Sequence, residues 1–145
     1  MSGEVFVRRY PIRFEHCDYA GILFFPHYTV LLNRTVEDWF DEALGCDFVE
    51  LHDKRRLGIP TARLELDMQA PSRLGAVLDW HLTIDEVRNS AFVLRHEARC
   101  TLPDGATEQR LTAIQRIVFA SLDGIRKTPI PDDLKPRIES FLPPR

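Results

Sequence analysis

Apolar residues in this chain recur with two periods, one helical and the other that of strands. From Pro26 to about Leu44, Tyr28, Leu31, Leu32, Thr35, Val36, Trp39, Phe40 and Ala43 return at three- and four-residue steps. That spacing predicts an amphipathic helix with a wide apolar stripe. Arg34, Glu37, Asp38, Asp41 and Glu42 fall mainly on the other side, and Gly45 supplies a stop. Pro26 suits the first helical position, because the N–H it lacks would go unpaired there. A stripe this heavy predicts a helix largely buried against a sheet.

The remaining patterned segments read as strands. Val5 to Phe14 alternates at Tyr10, Ile12 and Phe14, and Pro11 makes it an edge strand or one with a break. Ile59 to Ala70 alternates at Ala62, Leu64, Leu66 and Met68. Ala76 to Val87 carries Val77, Leu78, Trp80, Leu82 and Ile84. Ala91 to Leu102 sets Phe92, Leu94, His96 and Ala98 on one face. Ala106 to Leu122 alternates at Leu111, Ala113, Gln115, Ile117 and Phe119. Turns at Pro71–Gly75, Arg88–Ser90 and Pro103–Gly105 join them. Residues 46–58 read as polar and irregular, and the proline-rich tail after Asp123 has room for a short helix from Asp132 to Phe141. One strand, one buried helix and four more strands predict an α+β chain with a five-stranded antiparallel sheet curved around the helix. The edges of such a sheet are commonly managed by pairing with a second copy. No repeat or linker interrupts the 145 residues, which read as a single domain over 1–145.

Composition narrows the possible functions. The net charge of −3 leaves no excess of Lys and Arg to neutralise phosphates, which argues against general nucleic-acid binding. No apolar run approaches the roughly 20 residues of a membrane helix. Met1-Ser2-Gly3-Glu4 lacks a signal-peptide pattern, so the expected location is cytoplasmic, with no membrane partner. Cys17, Cys46 and Cys100 are odd in number and irregularly spaced, giving neither a metal pattern nor a disulfide framework. Cys17 reads as a buried, inert thiol, because His16 should point to the opposite side of an extended chain. Neither a metal nor a cofactor is expected.

Candidate chemistry gathers between Glu15 and Tyr28. Asp18 follows the first strand and approaches the helix that begins at Pro26. Unpaired backbone N–H groups and the positive dipole end meet at a helix N-terminus. A carboxylate beside such donors suits acyl cleavage: it attacks or guides water while an amide holds the developing oxyanion. Taken alone, Asp18 reads more simply as a turn-forming Asp. His16 and His27 flank the site, whereas His81 and His96 lie in strands, where structural histidines are common.

The chain resembles the hotdog-fold acyl-CoA thioesterases, and within them the 4-hydroxybenzoyl-CoA thioesterase family. The resemblance is carried by Asp18-Tyr19-Ala20-Gly21-Ile22 and by Phe24-Phe25-Pro26-His27-Tyr28. Gly58-Ile59-Pro60-Thr61, Ser90 through His96 and Asp123-Gly124-Ile125-Arg126 extend it over nearly the whole chain. It implies a hotdog fold, a five-stranded antiparallel sheet wrapped around one long central helix. It implies a homodimer with a continuous ten-stranded sheet, often a dimer of dimers, and an acyl-CoA substrate whose CoA is part of the substrate. Asp18 then matches the catalytic carboxylate and the Phe25 backbone N–H the donor that polarises the thioester carbonyl. Gly21, Pro26 and His27 fall at substrate-binding positions of the same motif. Arg88, Arg126 and Lys127 fall where relatives hold CoA phosphates. Two departures stand out: Phe25 offers no side-chain donor, and the turn at Arg88 continues Asn89-Ser90 rather than with more basic residues. The expected function is an acyl-CoA thioesterase releasing a free acid and CoA. A non-catalytic acyl-CoA or acyl-carrier binding protein of the same fold remains the alternative.

Overall fold

The computed structural model describes residues 3–144. In chain order the elements are β1 (Phe6–Pro11), a 3-10 turn (Phe14–His16), α1 (Pro26–Glu42), a π-helical turn (Val49–Lys54), β2 (Leu57–Gly58) and β3 (Thr61–Met68). There follow β4 (Val77–Val87), β5 (Ala91–Thr101), β6 (Thr107–Val118), β7 (Ala120–Ser121), β8 (Arg126–Lys127) and α2 (Lys135–Glu139). Five strands form one antiparallel sheet in the order β1-β4-β5-β6-β3, and β2, β7 and β8 form a small second sheet. With α1 packed on the large sheet, this is the α+β arrangement expected. Among the described residues no helix is long and apolar enough to cross a membrane.

The stripe on α1 is the seed of the core. Leu31, Leu32, Val36, Trp39 and Phe40 are buried against Leu78, Leu82, Ile84, Phe92 and Leu94 from the inner face of β4 and β5. Each such side chain contributes about 1.5–3 kcal/mol on burial. Two polar clips set the helix on the sheet. Thr35 donates to Leu31 O at 2.8 Å, which leaves its oxygen to accept the Tyr10 hydroxyl at 2.7 Å. Arg8 of β1 pairs with Asp38 at 3.2 Å and with Glu42 one turn further along. The helix ends at Glu42, two residues before the expected Leu44, and Gly45, at φ +67°, turns the chain away after it.

Several expectations are corrected. The first strand stops at Pro11 rather than Phe14, and Phe14 lies in the 3-10 turn, 83% exposed. Alternation in β3 meets the core only at Leu66, while Leu64 is exposed and Met68 is 51% exposed. The strand is an edge that pairs only with β6, so its outer rim and much of both faces stay open. The expected strand from Ala106 to Leu122 breaks at Phe119, which is buried while Ala120 and Ser121 leave for the small sheet. Residues 46–58 are ordered rather than irregular. Arg55 donates to Glu50 at 3.1 Å and bidentately to Asp133 at 2.9 and 2.8 Å, tying the π turn to the tail. The tail helix is shorter than expected, Lys135–Glu139.

A polar row crosses the buried face of the sheet. Trp80 Nε1–H donates to His96 Nδ1 at 3.0 Å, His96 Nε2 meets Gln115 Oε1 at 3.0 Å, and Gln115 Nε2 donates to Thr61 Oγ1 at 2.9 Å. An indole N–H can only donate, so His96 must accept at Nδ1 and carry its proton at Nε2. Burial holds His96 down at about 4, against a smaller opposing effect of the Gln115 bond. The unfolded chain takes up this proton near pH 6.5 and the folded chain only near pH 4. The contribution is therefore complete above pH 6.5 and is lost as the pH falls toward 4, by about 3 kcal/mol at most. Urea unfolding of wild type and His96→Gln at pH 7.5 and 4.5 should show the smaller acid loss in the variant. Equal losses would remove His96 as the cause.

Candidate active site

The segment ahead of α1 folds back on itself as a tight hairpin. Cys17 and Leu23 bridge, the Asp18 N–H donates to Ile22 O at 2.9 Å, and the Gly21 N–H donates to Asp18 O at 3.0 Å. Gly21 sits at φ +76°, a conformation that L side chains rarely adopt. The hairpin is held from outside by Leu23 N–H to Ser72 O, Leu74 N–H to Gly21 O and Phe24 N–H to His16 O, at 2.7, 3.1 and 2.8 Å. Asp18 Oδ1 accepts the Ala20 N–H at 2.8 Å, so the turn-forming role is present. The second carboxylate oxygen bonds to no described residue.

Phe25 caps the start of α1, and its backbone N–H finds no acceptor among the described residues. That is the orphan donor a helix N-terminus provides. Asp18, Phe24, Phe25, Tyr28, Met68 and Gln69 line one open cavity of about 390 Å³. A residue with an unpartnered carboxylate oxygen, a residue with a free amide and an apolar wall thus line one space. The carboxylate can attack or deprotonate, and the amide can hold an oxyanion.

Other candidates fall elsewhere. Gly21 shapes the hairpin and Pro26 opens the helix; neither lines the cavity. His27 packs edge-on against His16, with centroids 5.7 Å apart, and against Phe24. His16 accepts the Arg13 N–H at Nδ1, and burial pushes its pKa down. Arg88 and Lys127 meet at a second cleft of about 350 Å³, together with Arg116. Arg126 is exposed beside Lys127 but does not line it. Arg88 is already held by both oxygens of Glu86, at 2.8 and 3.2 Å. Arg116 was missed from the sequence; its only signal is an outward place in β6, opposite Arg63 and Val93. The two cavities lie toward opposite ends of β6, near Leu111 and Val118, about 23 Å apart at the usual strand rise. All three cysteines are free thiols; Cys17 is half-buried rather than buried as expected, with its thiol 3.4 Å from Arg13 O. Among the described residues no three His, Cys, Asp or Glu side chains converge as metal ligands.

Residues 12–138 match the thioesterase-like superfamily. The chain belongs to that superfamily. It is 28% identical over 128 residues to the 4-hydroxybenzoyl-CoA thioesterase of Pseudomonas sp. (strain CBS-3), covering 84% of this chain and 89% of the relative. Its backbone matches the crystal structure of an Asp-to-Asn variant of 4-hydroxybenzoyl-CoA thioesterase complexed with 4-hydroxybenzoyl-CoA. That match has a TM-score of 0.87 and 25% identity, over 92% of this chain and 98% of the other. A 1,4-dihydroxy-2-naphthoyl-CoA thioesterase from Synechocystis shares the fold, with a TM-score of 0.82 at 18% identity, over 93% and 96% of the two chains. The expected enzyme class, a thioester hydrolase, agrees with this family and with the names of these relatives.

The hairpin carries a test of its own. A Cβ on Gly21 would meet no atom within 4 Å, so a substitution there is opposed by backbone strain alone. Gly21→Ala should lower stability by about 1–2 kcal/mol, and Gly21→Asn by less, because Asn visits this region more readily. Urea denaturation measures both. Wild-type stability in Gly21→Ala would show that the hairpin relaxes freely.

Proposed function

We propose that this chain hydrolyses an aryl-CoA thioester to the free acid and CoA, with Asp18 as the reacting carboxylate. The reading rests on one observation: Asp18, with one oxygen that has no described partner, and Phe25, with a free backbone N–H, line the same cavity. The Phe25 amide donates to the thioester carbonyl oxygen. As nucleophile, Asp18 attacks the carbonyl carbon, CoA leaves as thiolate, and water cleaves the resulting anhydride to restore the carboxylate. As general base, Asp18 takes a proton from the water that attacks. Either route builds charge on the carbonyl oxygen, where one amide donor is commonly worth about 3–4 kcal/mol. Gly21 and Pro26 shape the approach to this centre, and His27 reaches it only through its packing on Phe24.

The aryl assignment draws on the relatives at 28% and 25% identity, both named for 4-hydroxybenzoyl-CoA. Phe24, Phe25 and Met68 offer an apolar wall of matching character. Arg88, Arg116, Arg126 and Lys127 are the proposed partners of the CoA phosphates, at the far end of β6 from Asp18. The open rim of β3 is the proposed site of homodimerisation, which would join two five-stranded sheets.

Thiol release measured with Ellman's reagent on aryl, short-chain and long-chain acyl-CoA esters is the direct test. Wild type should prefer the aryl esters. Asp18→Asn should fold normally, since its amide oxygen can still accept the Ala20 N–H, and should lose nearly all turnover. Wild-type turnover in that variant would end the assignment, and tight ester binding without thiol release by wild type would favour a binding protein. The double variant Arg116→Glu, Lys127→Glu should raise KM for CoA esters about tenfold. An equal rise for the corresponding pantetheine ester, which lacks the nucleotide, would place the phosphates elsewhere.

A further inference from the structure

A short hydrogen-bond chain leads from Arg110 through Ser72 to Tyr28, which lines the Asp18 cavity. Arg110 is 8% exposed. It donates Nε to Glu108 at 2.7 Å, and Nη1 to Pro71 O at 2.9 Å and to Ser72 Oγ at 3.3 Å. Ser72, 1% exposed, lies with its oxygen 3.2 Å from the Tyr28 hydroxyl. A guanidinium has no acceptor, so Ser72 accepts from Arg110. The Ser72 proton then has one acceptor among the described residues, the Tyr28 oxygen. Buried hydroxyls do not ordinarily leave a proton unpaired. Either direction leaves one hydroxyl proton without a described acceptor, and of the two residues only Tyr28 lines the Asp18 cavity, so the arrangement in which Ser72 donates and Tyr28 accepts leaves the spare proton where a ligand can take it. No described residue takes it. Tyr28 is itself 3% exposed, and it lines the cavity that holds Asp18 and Phe25.

We infer that the Tyr28 hydroxyl donates to the thioester carbonyl oxygen in the Asp18 cavity, as a second donor beside the Phe25 N–H. The inference rests on the thioesterase reading above and adds a catalytic residue to it. Ser72 and Arg110 are positioning residues, since they act only through Tyr28. They do two things. They stop the phenol from turning its proton inward to Ser72, and they strengthen it as a donor, because a hydroxyl that accepts a bond donates a better one. A donor held in place before the reaction begins stabilises the oxyanion without reorganisation at the moment the charge forms.

The test compares Tyr28→Phe, Ser72→Ala and Asp18→Asn with wild type on the preferred aryl ester. Beside kcat it measures the affinity for a CoA thioether in which a methylene replaces the carbonyl, so that no oxygen is present to receive the bond. Tyr28→Phe should lose about 100-fold in kcat, in line with the removal of one oxyanion donor, and bind the thioether within about twofold of wild type. Ser72→Ala should lose less in kcat and also bind the thioether normally. It serves as the second variant if Tyr28→Phe folds poorly. Wild-type kcat in either variant overturns the inference, as does a parallel loss of kcat and thioether affinity, which marks a structural role. These outcomes are separable from failure of the underlying reading: Asp18→Asn inactive with Tyr28→Phe fully active removes Tyr28 alone, an active Asp18→Asn removes Asp18 as the reacting carboxylate, and absence of thiol release by wild type removes the thioesterase reading itself.

Discussion

Burial of the apolar stripe of α1 is the constraint on which the rest of the structure depends. The helix is 17 residues long, and its inward face meets the inner face of the sheet along most of that length. Once that face is buried, the rotation of the helix is fixed to within a fraction of a turn. The Tyr10–Thr35 bond and the pairing of Arg8 with Asp38 and Glu42 then oppose sliding along the axis. The start of the helix is thereby held still, and with it the Phe25 N–H. A free amide is useful for chemistry only if it does not move toward water or a neighbour, and here the hydrophobic core supplies that immobility.

The hairpin ahead of the helix adds a second level of order. Asp18 has one carboxylate oxygen engaged by its own turn and the other open. A surface Asp would ordinarily sample several rotamers, whereas the Ala20 bond favours one. The hairpin depends on the loop around Ser72 for its outer hydrogen bonds, and the same loop carries the Ser72 hydroxyl toward Tyr28. One short loop between β3 and β4 thus supports both the carboxylate and the phenol.

Much of this was legible in the sequence. α1, β4 and β5 were found within about two residues because their periodicity is strong and both ends carry chemical punctuation. β3 was legible as a strand but its exposure was not, since alternation shows which residues share a face and says nothing about whether that face is covered. The π turn was missed because Arg55 is held by Asp133, 78 residues away. Asp18 could be singled out from its motif and its approach to a helix. The Tyr28 chain could not, because Ser72 is 44 residues from Tyr28 and Arg110 a further 38. In the sequence Tyr28 is simply the first apolar position of a helical stripe, and its hydroxyl acquires meaning only from what the loop places beside it.

The row from Trp80 through His96 and Gln115 to Thr61 has a consequence for how the sheet finds its pairing. Its members come one each from β4, β5, β6 and β3, and its polarity is set by an indole at one end. A slip of one residue in any of the three strand pairings would turn a member to the opposite face and leave its neighbour with a buried, unanswered polar atom. Apolar side chains tolerate approximate neighbours, but this row accepts a single alignment. It acts as a proofreading line across four strands, rejecting near-correct sheets that hydrophobic burial alone would accept.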